Sequence, residues 1–265
     1  MPVTNDRFPS APQAALLLLA LFLIEYVTGT ALYDLHVALD LSATEISALT
    51  TLLANGIVFS VLMHCKKMHY RNLFHPSSAS VRVTLALLLV PVVLVVPALV
   101  LAANGLNDVL LKILPLSRWE EQAFERMLSP NMASLVAVCV LAPVLEEMLF
   151  RGIILRAFLL QYPRWTAILA SAVFFGFAHM NVYQFMVAFL LGTLSGWLYE
   201  RTRSLVPCIV LHASYNAAVF ALQTTQSADT AQFLEANAAS YWAIALAAAA
   251  VGSLMLRQLL FTRAI

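Results

Sequence analysis

Long apolar runs constrain this chain more than any other feature. Residues 81–103 read VRVTLALLLVPVVLVVPALVLAA, with Arg82 as the single charge. About 20 such residues cross the hydrocarbon core of a bilayer as a helix. Lipid offers no hydrogen bonds to a backbone, so only helices or closed barrels can cross it. Barrel strands alternate apolar and polar residues, and these runs do not. Eight runs qualify, at roughly 13–33, 44–64, 81–103, 131–158, 164–180, 182–200, 204–222 and 239–261. The expected fold is all-α: a polytopic transmembrane bundle of about eight helices, forming one integral membrane domain over 1–265.

Composition agrees. Charged residues make up 11% of the 265 and hydrophobic ones 62%, against about 25% charge in a soluble domain. Mean hydropathy is +0.84. A net charge of +1 suggests no nucleic-acid partner. Cys65, Cys139 and Cys208 are scattered without a CxxC spacing, which implies neither a disulfide framework nor a cysteine metal site. The polar start, Met1 to Ser10, precedes an apolar run too long for a cleaved signal peptide, so that run is read as a retained first span.

Cations orient the bundle. With the N-terminus inside, Lys112, Arg118 and Arg126 fall outside, which leaves twelve of the fifteen Lys and Arg on the inner side, Arg151 included. The connection 223–238 carries Asp229 and Glu235 without a cation, as an outer loop should. The expectation is a multi-pass protein of the cell (inner) membrane with both termini cytosolic. In Ser117 to Leu128, Trp119, Phe124 and Leu128 alternate with Glu120, Glu121, Glu125 and Arg126. This is either an amphipathic helix on the membrane surface or a solvated loop helix. His64, His69 and His75 sit among cations and read as a solvated or lipid-facing basic face.

Charge within the hydrocarbon region is costly and marks function by default. Glu147 and Arg151 are four residues apart and share a helix face. Glu146 points about 100° away and lacks that partner. Two neighbouring carboxylates in low dielectric cannot both ionise easily. Such a carboxylate near a histidine suits proton transfer. The bland alternative is an interfacial pair that ends the helix. Glu146 and His179 are equally far from the Tyr162-Pro163 turn, roughly 20–25 Å at the helical rise, so in a hairpin they share a depth. His212 and Asn216 are again four apart. They could direct two hydrogen bonds at one point, as an oxyanion needs, or act as interhelical glue. Glu25, in the first span, has no spaced partner and reads as a structural polar contact.

The series EEMLFR at 146–151, FGFAH at 175–179 and HASYN at 212–216 resembles the EExxxR, FxxxH and HxxxN motifs of the CAAX-protease and bacteriocin-processing family. The resemblance covers about 131–222, a catalytic core within the chain. It implies an intramembrane protease of glutamic type. Glu146 would be the general base activating a water, with His179 assisting. His212 and Asn216 would stabilise the oxyanion, Glu147 and Arg151 would orient base or substrate, and Phe175 would pack beside the site. The implied partners are the lipid bilayer and a membrane-associated, lipidated or hydrophobic-tailed protein or peptide substrate.

No cofactor is expected. An alternative keeps the enzyme and adds zinc on Glu146, His179 and His212, with water in the fourth position; HExxH is absent. A further alternative is a non-catalytic transporter or immunity factor, although paired broken helices or inverted repeats are not evident.

Overall fold

The structure, a computed structural model, describes residues 7–225 and 236–261. Among these there are ten helices and no strand: α1 (Ala11–Leu39), α2 (Ala43–Lys66), α3 (Tyr70–Phe74), α4 (Val81–Ile113), α5 (Arg118–Met127), α6 (Met132–Phe158), α7 (Arg164–Phe177), α8 (Val182–Thr202), α9 (Val206–Thr224) and α10 (Ala238–Phe261). Seven are long and apolar enough to cross a membrane. Leu16, Val37 and Ile244 are each more than 60% exposed, an apolar exterior that suits lipid. The chain is a multi-pass helical membrane protein. The expected outer-loop acids Asp229 and Glu235, the cation Arg263 and the polar residues before Arg7 lie outside the described residues.

The fifth expected span, 164–180, is shorter than read. α7 has 14 residues, about 21 Å at the helical rise. It stops because Asn181 starts the next helix: its side chain accepts from the amides of Tyr183 and Gln184. Asparagine at an N-cap satisfies donors that the first turn leaves open. Conversely, α1 and α4 outrun their apolar cores. α1 starts at Ser10, whose amide donates to Gln13, and ends at Asp40 with φ 52°.

The chain forms two compact units, and the motif region 131–222 contributes to both. The first unit holds residues 1–76 and 144–205, with α1 packed on α2 and α7 on α8. The short α3 was not foreseen. Its Leu73 is fully buried. A Cβ at Gly152 would stand 2.6 Å from Leu73 Cδ1, so the glycine admits the leucine. Two polar residues make tertiary contacts here, and one loop reading is corrected. Arg156 Nη1 donates to the Asn72 carbonyl at 2.9 Å, so this cation closes the end of α3. His75 Nδ1 lies 2.7 Å from the hydroxyl of Ser204, which is fully buried. His75 is thus a tertiary contact rather than part of a basic face.

The second unit holds residues 77–143 and 206–265, built around α4 with α9 and α10. α5 is a separate short helix, as both readings of Ser117 to Leu128 expected. Ser117 and Glu120 form a reciprocal cap, no residue of the helix is buried, and Trp119 is exposed. α10 approaches α4 at Gly252, where a Cβ would lie 2.7 Å from the Pro91 carbonyl oxygen. A backbone oxygen cannot rotate away as a side chain can. Gly252→Ala should therefore cost about 1–3 kcal/mol in detergent unfolding. Gly105→Ala, where a Cβ meets nothing within 4 Å, should be tolerated; equal losses in both would refute the close approach.

Candidate active site

The site begins with an irregular helix. α6 is π-wound over Ala137–Leu141 and Met148–Leu155, with an α-helical stretch, Ala142–Glu147, between them. π turns recur at functional sites. They also disturb backbone accounting. The Ala142 amide bonds back to Ala137, and Pro143 has no N–H to give the next carbonyl. Asn216 supplies that donor: its Nδ2 reaches the Val138 oxygen at 2.8 Å. In the second π stretch, buried Ser171 donates its hydroxyl to the Phe150 carbonyl at 3.0 Å. Polar side chains thus satisfy backbone where lipid cannot.

Glu147 and Arg151 sit across the entry to that second π stretch. Arg151 Nη1 donates to Glu147 Oε1 at 3.0 Å, and their side chains are 1% and 0% exposed. Among the described residues Arg151 Nε and Nη2 have no hydrogen-bond acceptor. The ring of Phe175 lies beneath the guanidinium, 4.5 Å from its central carbon, so the π face offsets part of the lost hydration. Phe175 is itself held by Phe150, with centroids 4.9 Å apart.

His179 continues the array. It lies just beyond α7, not inside a helix as expected, in a turn completed by Met180 at φ 50°. Its ring meets Phe175 edge-on at 5.1 Å. Its Nδ1 is 2.9 Å from the Phe175 carbonyl. A carbonyl only accepts, so Nδ1 carries the proton and Nε2 is left as the acceptor. Four of the predicted residues, Glu147, Arg151, Phe175 and His179, therefore form one run of contacts.

Glu146 is the last residue but one of the α-helical stretch, which Glu147 ends, and is half-buried. His212 and Asn216 lie in the second unit, on α9; His212 is buried, and one amide hydrogen of Asn216 is committed to Val138. Among the described residues no group of three or more His, Cys, Asp and Glu side chains is gathered as a metal site. Chelation, below, addresses zinc.

Sequence reading missed Gly192. A Cβ there would lie 3.1 Å from Arg151 Nη2, from Phe175 Cδ1 and from the Ala172 methyl. The guanidinium fits because that Cβ is absent. Gly192 and Gly196 form a small-xxx-small pair, the usual mark of close helix approach in membranes, and that signal was available.

Residues 128–218 match the family model of the Rce1-like type II CAAX prenyl endopeptidases. That segment is the motif-bearing third of the chain, and it is similar to this family. The UPF0177 protein YaiF of Lactococcus lactis subsp. lactis (strain IL1403) is 36% identical over 86 residues, 32% of this chain and 38% of that protein. The match thus spans well under half of that relative. No solved structure matches the chain.

The ion pair yields a double-mutant test. Arg151→Met leaves Glu147 buried without its counter-charge, which costs about 3–5 kcal/mol. Adding Glu147→Leu should restore much of the stability, because an apolar pair of similar volume avoids desolvation. Additive losses in detergent unfolding would show that the two side chains do not interact.

Proposed function

We propose that the protein is an intramembrane endopeptidase in which Glu146 activates water to hydrolyse a peptide bond. The observation that carries this reading is the buried Glu147–Arg151 pair next to Glu146, held against Phe175 and His179, inside the segment that matches an endopeptidase family. A buried ion pair adds little net stability, so a role in holding geometry accounts better for its presence.

The proposed step runs as follows. Glu146 takes a proton from water as its oxygen attacks the scissile carbonyl carbon. The carbonyl π electrons move to oxygen, where His212 and the second amide hydrogen of Asn216 donate. The proton then passes to the leaving nitrogen as the C–N bond breaks. His179 assists through Nε2. The Glu147–Arg151 clamp holds the helical turn that carries Glu146. The substrate is a membrane-associated protein or peptide with a lipidated or hydrophobic tail. The protein resides in the cell membrane with both termini cytosolic, as the cation distribution supports.

Purified protein is tested on lipidated and hydrophobic-tailed peptides, with and without chelator. Glu146→Gln and His179→Ala should each lower kcat by about 10²–10⁴-fold, the usual contribution of general acid–base groups, and chelator should have no effect. Reversible loss with chelator would instead support zinc on Glu146, His179 and His212. Undiminished cleavage by Glu146→Gln would overturn the proposed base.

A further inference from the structure

The two ends of the first unit differ sharply in charge. The apolar spans α2, α6 and α8 finish at one end, where α1 and α7 begin, and a series of contacts joins them there. Gln161, just past α6, donates from Nε2 to the carbonyls of Arg7 at 2.6 Å and Pro9 at 3.0 Å. Lys66 Nζ, at the end of α2, lies 4.1 Å from the ring centroid of Phe8. Arg156 of α6 donates to the Asn72 carbonyl of α3. The Leu205 amide, just past α8, donates to the Phe74 carbonyl at 2.8 Å. Arg164 Nη2, at the start of α7, meets Glu200 of α8 at 3.0 Å.

This end is cationic. Lys67 and Arg71 are exposed on the segment that joins α2 to α3, and Arg203 is exposed just past α8. Among the described residues none of these three pairs with a carboxylate. The acid at this end, Glu200, is already held by Arg164 and Arg201. Asp34, Asp40 and Glu45 flank the turn from α1 to α2, at the opposite end. Two of the cations also stand where glycine would be easier. Lys67 has φ 48° and Arg203 φ 50°, in the left-handed region that a Cβ disfavours and glycine enters freely. Such strain points to a use for the side chain. Aromatic residues mark the level of this face. Tyr70, next to Arg71, is 50% exposed, and Trp165, next to Arg164, is 52% exposed. Tyrosine and tryptophan gather at the headgroup layer of a bilayer.

We propose that this end of the first unit is a binding surface for anionic phospholipid headgroups, with Lys67, Arg71 and Arg203 receiving the phosphates. The partner follows from charge and level together. A phosphate diester keeps its negative charge at physiological pH, and an anionic leaflet attracts each lysine or arginine near its surface. An acidic protein segment would answer the charge equally well, but it gives no reason for an exposed tyrosine and tryptophan at the same level. A headgroup layer accounts for both. The proposal is independent of the proposed hydrolysis and uses none of its residues.

The test titrates the protein, in a neutral detergent, with short-chain phosphatidylglycerol or phosphatidylcholine while thermal unfolding is followed. A ligand that binds the folded state raises Tm. The anionic lipid should reach half its effect at a concentration at least about fivefold lower, the scale of one basic side chain at an anionic surface. Lys67→Gly/Arg71→Gln/Arg203→Gly should lose this difference without a lower Tm in the absence of lipid, since glycine relieves both left-handed positions. Lys112→Gln/Arg118→Gln/Arg126→Gln removes as much charge from the second unit and should keep the difference. Salt at about 1 M, which screens charges beyond about 3 Å, should abolish it in the wild type with no substitution at all. Equal midpoints for the two lipids would overturn the proposal. So would a difference that survives the salt or the first triple variant, or one that the second triple variant loses equally. Inorganic phosphate matching the effect of the anionic lipid would also overturn it, in favour of a site for free anions.

Discussion

Arg151 is a full cation with almost no exposed surface in a helix built to cross hydrocarbon. Each feature of the first unit near it serves to make that tolerable. Glu147 supplies the opposite charge one turn earlier. Phe175 supplies a π face. Gly192 withholds a Cβ so that the guanidinium fits against α8. A charge placed at such cost does not persist for packing alone, since apolar residues would fill the volume more cheaply. In the proposed function what it secures is geometry, because the Glu147–Arg151 ion pair adjoins the turn that bears Glu146.

The same economy governs the backbone. A π turn leaves a carbonyl whose regular partner is displaced, and in a bilayer no water replaces it. Pro143 deepens the deficit near Val138, and Asn216 answers it. Ser171 does the same for Phe150. One amide hydrogen of Asn216 completes the winding of α6, and in the proposed function the other donates to the oxyanion. In the proposed reaction the two uses reinforce each other, because a donor held by one hydrogen bond is better aimed with the second. The wide winding is thereby tied to residues with proposed chemical roles, as π turns at functional sites commonly are.

Much of this was legible in the residues. The ion pair follows from a four-residue spacing, and the seven long apolar helices among the described residues follow from the apolar runs. Other parts were not legible. His179 was read inside a helix, but Asn181 caps the next helix so soon that the histidine falls in a turn. His75 looked like one more loop cation, because nothing local announces a bond to Ser204, 129 residues away. Gly192 was overlooked although its partner Gly196 marked the face.

By itself the sequence determined that the chain crosses a membrane as helices, roughly where, and which polar side chains would be too costly to keep there without a purpose. Those are consequences of hydropathy and of 3.6-residue periodicity, which act within one segment. Only the tertiary structure decided which of those side chains meet. Contacts between helices depend on where each helix begins and ends and on where the backbone lets neighbours approach. A single N-cap, a missing Cβ or a π turn shifts the register by a fraction of a turn, and such shifts decide whether a carboxylate faces an arginine, another carboxylate or lipid.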